Sequence, residues 1–170
     1  KPIPLKKEGD ADAVVAAAAK VVRAEYLTQN LSHAPMEPMN FTADVRADKC
    51  LLVGPTQFQQ LAQGVTAGFL KMKPDQVEVR TTFLGGGFGR RVEVDFVLQA
   101  VEISKAAGMP VKLVWSREDD MTHDYYRPAS VHKLAAGLDA AGRPVALKFS
   151  VASSSVTKRL FGAFVKDGVD

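Results

Sequence analysis

Between Phe41 and Ala47, the apolar residues Phe41, Ala43, Val45 and Ala47 alternate with Thr42, Asp44 and Arg46, which is the period of a half-buried strand. After Asp48 and Lys49, the apolar run Cys50-Leu51-Leu52-Val53 stops at Gly54-Pro55, so the two stretches predict a β-hairpin. The period then changes. Thr56-Gln57-Phe58-Gln59 fits a capping box, and Phe58, Leu61, Ala62, Val65 and Phe69 recur at helical spacing, predicting a helix from Thr56 with one buried stripe. Residues 76–84 read as a strand. Residues 92–107 read as a mostly buried helix whose only polar line is Asp95, Gln99 and Glu102, with Gly108 and Pro110 marking its stop. Residues 111–115 form a short apolar strand, and residues 116–128 a polar, irregular loop in which Ser116 and Asp119 cap a short turn. Two alternating strands, 131–138 and 145–151, flank the turn Asp139-Ala140-Ala141-Gly142 and make a second hairpin. Upstream, the alanine-rich residues 11–19 predict a short helix and residues 21–28 a strand. The order predicts an α+β fold, a mixed β-sheet with two main helices.

Composition narrows the class of protein. The 170 residues are 46% apolar, 24% charged and 8% aromatic, average for a soluble globular chain, so disorder and collagen are excluded. This length predicts one domain, residues 1–170, able to bury a real core. A single cysteine, Cys50, excludes an internal disulfide framework and any multi-cysteine metal site, and its place in an apolar strand predicts a buried, inert thiol. The net charge of +3 is spread over 22 basic and 19 acidic residues without a block of like charge, so nucleic-acid binding is not indicated. The chain has no long apolar run, and Lys1-Pro2-Ile3-Pro4-Leu5 leads into charge, so it reads as soluble as given. It has no initiator Met, and residues 166–170 read as a turn, which suggests a piece of a longer polypeptide.

The segment that carries candidate chemistry is Gly85-Gly86-Gly87-Phe88-Gly89-Arg90-Arg91, set between a strand and a helix. Glycine tolerates positive φ and lets a ligand approach the backbone, so such a loop aims successive N–H groups at an anion. Arg90 and Arg91 add planar forks suited to phosphate. Neither common nucleotide signature fits, since Arg90 and Val92 stand where a Rossmann loop requires glycine and the P-loop lysine is missing. One or two glycines suffice for a turn, so four favour a ligand site over a turn with solvated arginines. His33 and Glu37 have the spacing of helical metal ligands, but Pro35 and Pro38 break a helix there, which favours a rigid connection over a metal site. The carboxylates of residues 118–124 and His123 form a conceivable acid/base or cation cluster, against which stands simple pairing with Arg117 and Arg127. His132 reads as a surface residue. No catalytic and no metal-binding residue is assigned, and His33, Glu37 and the 118–124 segment receive no role.

The strings His33-Ala34-Pro35-Met36-Glu37-Pro38-Met39-Asn40, Pro55-Thr56-Gln57, Gly85 through Arg91 and Ser116-Arg117-Glu118-Asp119-Asp120-Met121 together resemble one family. It is the molybdopterin-binding large subunit of the xanthine dehydrogenase and aldehyde oxidase family, nearest to isoquinoline 1-oxidoreductase beta subunits and related membrane-associated aldehyde dehydrogenases. The resemblance implies a molybdenum hydroxylase that hydroxylates N-heterocycles or oxidises aldehydes with oxygen derived from water. It implies a molybdopterin cofactor in a dinucleotide form, approached by Gly86, Gly87, Phe88 and Gly89; the charge of Arg90, after the loop at the start of a helix, is expected to support it. It further implies iron-sulfur clusters on a small partner subunit, the remaining domains of the same large subunit, a membrane-associated electron acceptor and a periplasmic or membrane-associated location. Val92 stands where xanthine-oxidising members carry a glutamate, which argues against purine substrates. The family's catalytic glutamate lies in a later region, so this piece is expected to be inactive alone. The competing reading is a noncatalytic module whose Gly-Arg loop binds a phosphate ligand.

Overall fold

The computed structural model describes residues 8–166. The turn expected at residues 166–170 lies, beyond Lys166, outside them, as does the Lys1 to Leu5 lead. In chain order the elements are α1 (Ala11–Ala17), β1 (Lys20–Thr28), β2 (Asn40–Val45), β3 (Cys50–Gly54), α2 (Gln59–Leu70), β4 (Val77–Thr81), α3 (Asp95–Ala107), β5 (Val111–Val114), α4 (Arg117–Thr122), β6 (Ser130–Leu138), β7 (Pro144–Ser153) and α5 (Val156–Phe161). Single 3₁₀ turns lie at Pro74–Gln76, Arg90–Val92 and Gly162–Phe164. The chain divides into two compact units, residues 32–126 and the flanking segments 1–31 with 127–170.

The inner unit has the expected mixed sheet and two long helices. Its strand order is β4-β3-β2-β5, with β3 and β4 parallel and the other pairs antiparallel. The parallel pair follows from α2, which carries the chain from β3 back to β4 as a crossover. Register sets Ala43 opposite Leu52 and Leu52 opposite Val79, so one face of the sheet presents Phe41, Ala43, Cys50, Leu52 and Val77. On that face α3 lays Phe96, Val97, Ala100 and Val101, and Phe41 meets Phe96 edge-on at 5.8 Å.

Several boundaries depart from the sequence expectation. The helix α2 begins at Gln59 instead of Thr56, without a capping box, and buries Ala62, Thr66 and Ala67, while Phe69 stays exposed. Small residues win that face because they let the helix close on β4 and α3, whereas Phe69 lies under the ammonium of Lys105 at 5.6 Å. The strand expected over residues 76–84 ends at Thr81, where β3 stops offering partners, and Phe83 is wholly exposed. Residues 92–107 do not form one mostly buried helix: a 3₁₀ turn precedes α3, whose Gln99, Glu102 and Ile103 face solvent. The polar stretch after Trp115 is a helix, α4, closed at its start by a reciprocal Ser116–Asp119 capping box. Cys50 is buried as expected, and burial pushes its thiol up to about 11.

In the outer unit β1, β6 and β7 form an antiparallel sheet in which β6 is central, and α1 packs against β6 and β7. The second hairpin is as read, from Ser130 to Ser153. His132 is not a plain surface residue: its ring is half-buried and stacks on Phe149 at 5.7 Å. Leu31 and Arg127 exchange backbone hydrogen bonds of 3.2 and 2.8 Å, so the chain leaves this unit and re-enters it at one closed bridge. Alternate residues Val145, Leu147, Phe149 and Val151 of β7 are each half exposed, which leaves an apolar sheet face uncovered.

Gly54 ends β3 directly beneath the buried ring of Phe41; a Cβ there stands only 2.5 Å from the ring's Cδ2. We predict that Gly54→Ala lowers the stability of the inner unit by about 1 to 3 kcal/mol through overpacking. Urea denaturation measures it, and wild-type stability would show that Phe41 has room to move.

Candidate functional site

The glycine loop leaves β4 and ends in the 3₁₀ turn Arg90–Val92. Each of its four glycines has an internal reason. Gly86 and Gly89 sit at φ of +102° and +99°, where side chains are strained. A Cβ on Gly85 runs into Glu37, and one on Gly87 stands 2.6 Å from Gln57 Oε1. The number of glycines is therefore met by the loop's own packing. What sets the loop apart is the state of its backbone donors, on half-exposed Gly86, buried Gly87 and exposed Phe88 at its centre. The N–H groups of Gly85, Gly89, Arg90 and Arg91 are all bonded within the chain, whereas those of Gly86, Gly87 and Phe88 have no partner among the described residues. Phe88, at the tip, is itself left-handed with φ of +55° and holds its ring largely in solvent. The loop thus combines a left-handed non-glycine residue with three successive N–H groups that have no partner among the described residues, a feature that backbone anion sites share.

Three segments far away in sequence hold this loop in shape. Gln57 Oε1 accepts the N–H groups of Gly89 at 3.0 Å and Arg91 at 3.2 Å, and the N–H of Gln57 donates to the Arg91 carbonyl at 3.0 Å. The Thr56 hydroxyl donates to the same carbonyl at 3.2 Å. Residues that look like a helix cap are thus spent on the loop, which is why α2 starts three residues later. Glu37 pairs with Gly85 through both its own N–H (3.1 Å) and its carboxylate (2.9 Å). Arg117 on α4 donates to the carbonyls of Pro35 at 2.6 Å and Met36 at 3.1 Å and pairs with Asp120 at 2.6 Å, tying down the Pro/Met segment.

Arg90 and Arg91 are fully buried. Both Nη atoms of Arg90 bond the carboxylate of Asp95, at 2.9 and 2.8 Å, and its guanidinium lies between the rings of Phe96, Trp115 and Tyr125 at 5.8, 5.5 and 5.3 Å. Its Nε approaches Asp124 to 3.3 Å, an ion contact outside hydrogen-bond alignment. Arg91 donates from Nε to the Gly86 carbonyl at 2.8 Å and from Nη2 to the Glu37 carbonyl at 2.8 Å and carboxylate at 3.0 Å. The forks read as phosphate ligands therefore grip the loop's own framework.

His33 and Glu37 do not share a ligand. Glu37 serves Arg91 and Gly85, while His33 turns to Asp124, its Nδ1 lying 3.0 Å from both carboxylate oxygens. Asp124 also accepts the His33 backbone N–H and the Ser32 hydroxyl at 2.9 Å. Burial opposes charge on Asp124, yet these bonds from His33 and Ser32 outweigh it and hold the carboxyl below its ordinary range. Glu37 is likewise lowered, because Asn40, the Gly85 N–H and Arg91 overcome its burial. Asp120 moves the other way, raised by burial despite Arg117 and Arg90. Burial lowers Arg91, whereas Asp95 and Asp124 overcome the same effect and raise Arg90. The sequence held no signal for the His33–Asp124 and Gln57–loop contacts beyond the residue types.

A family model described as the molybdopterin cofactor-binding domain matches residues 3–165. The chain belongs to that family. It is 34% identical over 160 residues to the membrane-bound aldehyde dehydrogenase [pyrroloquinoline-quinone] of Gluconacetobacter polyoxogenes, covering 94% of this chain and 21% of that protein. It is 40% identical over 131 residues to the isoquinoline 1-oxidoreductase subunit beta of Brevundimonas diminuta, covering 75% of this chain and 17% of that protein. Among solved structures, the aldehyde oxidoreductase from Desulfovibrio gigas shares the fold with a TM-score of 0.70 at 20% identity, over 86% of this chain and 16% of that one. The chain thus spans about a fifth of the relatives it matches. Among the described residues no helix is long and apolar enough to cross a membrane.

Two predictions follow from the loop's supports. Gln57→Ala strands the N–H groups of Gly89 and Arg91 and should cost about 1 to 3 kcal/mol, with faster amide exchange at Arg91; Gln57→Glu, which keeps an acceptor, should not. Unchanged exchange in Gln57→Ala would show that the loop holds without it. The second concerns acid. Because Asp124 is lowered on folding, the stability it contributes is complete above its unfolded value of about 4 and vanishes as pH falls through the depressed folded value. Asp124→Asn should therefore flatten the fall of Tm on acidification below about pH 4, whereas an unaltered slope would assign acid sensitivity elsewhere.

Proposed function

We propose that this chain is one cofactor-binding domain, residues 1–170, of the longer molybdenum-binding subunit of a molybdenum hydroxylase. The observation that carries the reading is the row of open N–H groups on Gly86, Gly87 and Phe88, framed by Gln57, Glu37 and the buried arginines. Gln57 and Glu37 hold the flanks of that row fixed, and an oxygen-rich anionic group suits such donors because they need no reorganisation to meet it. Residues of this chain fit the molybdopterin cofactor in that sense: Gly86, Gly87, Phe88 and Gly89 line the approach, and Arg90 supports it from beneath through Asp95. When bound, the cofactor supplies transfer of water-derived oxygen to an electron-poor carbon. The chain's own part is to bind, to orient and, through Phe88, to shield the face of the site from water.

The substrate class is an N-heterocycle or an aldehyde, in line with what the two relatives are named for, and Val92 in place of an acid argues against purines. A dinucleotide form of the pterin and iron-sulfur clusters on a small partner subunit complete the electron path. The remainder of the same subunit is the natural cover for the apolar face of β7 and for Phe83 and Met36, both almost wholly exposed. A membrane-associated electron acceptor and a periplasmic or membrane-associated location accord with the relative named membrane-bound.

The test is metal and cofactor analysis of the full-length subunit beside the isolated chain. Stoichiometric molybdenum with a pterin nucleotide is expected in the first. Little molybdenum and no turnover are expected in the second, since a ligand shared between domains loses most of its contacts when one wall is missing. A metal-free subunit retaining a phosphorylated metabolite would favour a phosphate-binding module, and a quinone cofactor in place of molybdenum would overturn the proposal.

A further inference from the structure

We infer that His33 is a ligand-binding residue of the glycine loop, donating from Nε2 to an anionic oxygen of whatever the loop holds; this rests on the reading above. Its two ring nitrogens are in opposite situations. Nδ1 faces both oxygens of Asp124 at 3.0 Å, and a buried carboxylate that already accepts the Ser32 hydroxyl and the His33 N–H accepts there too. The proton on Nδ1 is thereby fixed and the ring's orientation with it. Nε2 has no partner among the described residues.

The open nitrogen points to one place. If Gly89 carried a Cβ, the only atom within 4 Å of it outside its chain neighbours, among the described residues, would be His33 Nε2, at 3.9 Å. Apart from the residues flanking Gly89 in the chain, this nitrogen is the nearest protein atom to that position among the described residues, and Gly89 follows directly on the residues whose N–H groups have no partner. Glu37, on the same segment, has nothing to offer a ligand: its carboxylate is taken by Asn40, Gly85 and Arg91 and its N–H by Gly85. His33, by contrast, keeps a side-chain polar atom without a partner among the described residues.

The chemistry follows from its partner. When an anion binds, the ring that Asp124 anchors through Nδ1 takes up a proton on Nε2 and the carboxylate opposes its charge; Arg90 and Asp120 are the further charged groups around Asp124. Such an N–H lengthens the row of neutral backbone donors by one charged donor, which selects an anion over a neutral ligand. No bond to carbon is made or broken at His33; the proton on Nε2 comes from solvent as the anion binds. The group recognised is an oxygen bearing negative charge.

The experiment compares His33→Asn and His33→Gln with wild type in the full-length subunit produced under limiting molybdate, reading molybdenum and pterin content and the thermal midpoint of the cofactor-free form. Asparagine keeps an N–H for Asp124 and removes the far nitrogen; glutamine places an amide near the far nitrogen. Expected are about a tenfold lower occupancy in His33→Asn with a midpoint within about 2 °C of wild type, and recovered occupancy in His33→Gln even at a lower midpoint. Wild-type occupancy in His33→Asn would overturn the inference while the loaded wild type leaves the broader proposal standing. Loss of midpoint and occupancy together in both variants would reduce His33 to scaffold and overturn it as well. A wild-type subunit without molybdenum would remove the proposal and this inference with it.

Discussion

Two adjacent arginines with no exposure govern the inner unit. Taking a guanidinium out of water costs several kcal/mol unless acids and carbonyls meet it, and here two must be met side by side. Arg90 is answered by Asp95 from the start of α3 and Asp124 from beyond α4, Arg91 by Glu37 from the Pro/Met segment and by the loop's own Gly86 carbonyl. Every one of these groups lies on a different stretch of chain, so satisfying the pair fixes the loop, the first turn of α3, the end of α4 and residues 32–40 with respect to one another. The aromatic rings of Phe96, Trp115 and Tyr125 close around Arg90 and connect this polar cluster to the apolar core. Breaking one partner would leave a buried charge, which is why a polar cluster of this kind holds a loop more rigidly than its number of bonds suggests.

Rigidity of that kind is what an anion cradle needs. A loop of glycines left to itself would lose its donors to water and to its own carbonyls. Here Gln57 and Glu37 take up the flanking N–H groups, so the three that stay open are those at the centre, and the left-handed Phe88 turns the chain between them. The arginines hold the framework through Asp95 and Glu37, and the N–H groups of Gly86, Gly87 and Phe88 are left without a partner among the described residues.

The outer unit follows a different principle. Its three strands are held by continuous antiparallel register, with few buried side chains, and β7 turns alternate apolar residues outward. Such a sheet keeps an apolar face without a covering layer among the described residues. A chain spanning about a fifth of its relatives is expected to show open faces of this sort.

Local signals in the sequence determined the hairpins, the ends of α3 at Gly108, the Ser116–Asp119 cap, the burial of Cys50 and the place of the glycine loop, because period-two alternation, caps and φ requirements act over a few residues. They failed where tertiary contacts competed for the same groups: Thr56 and Gln57 make a plausible cap, yet the loop offers their polar atoms better partners and the helix begins later. The number of glycines read as a ligand signal, and only the structure showed that Glu37 and Gln57 already require two of them and positive φ the others. Most of all, the sequence shows two basic residues after the loop without saying whether they face solvent, ligand or core. Asp124 lies 91 residues from His33, and pairing over that distance is decided by the fold that brings the segments together, since no local pattern encodes it.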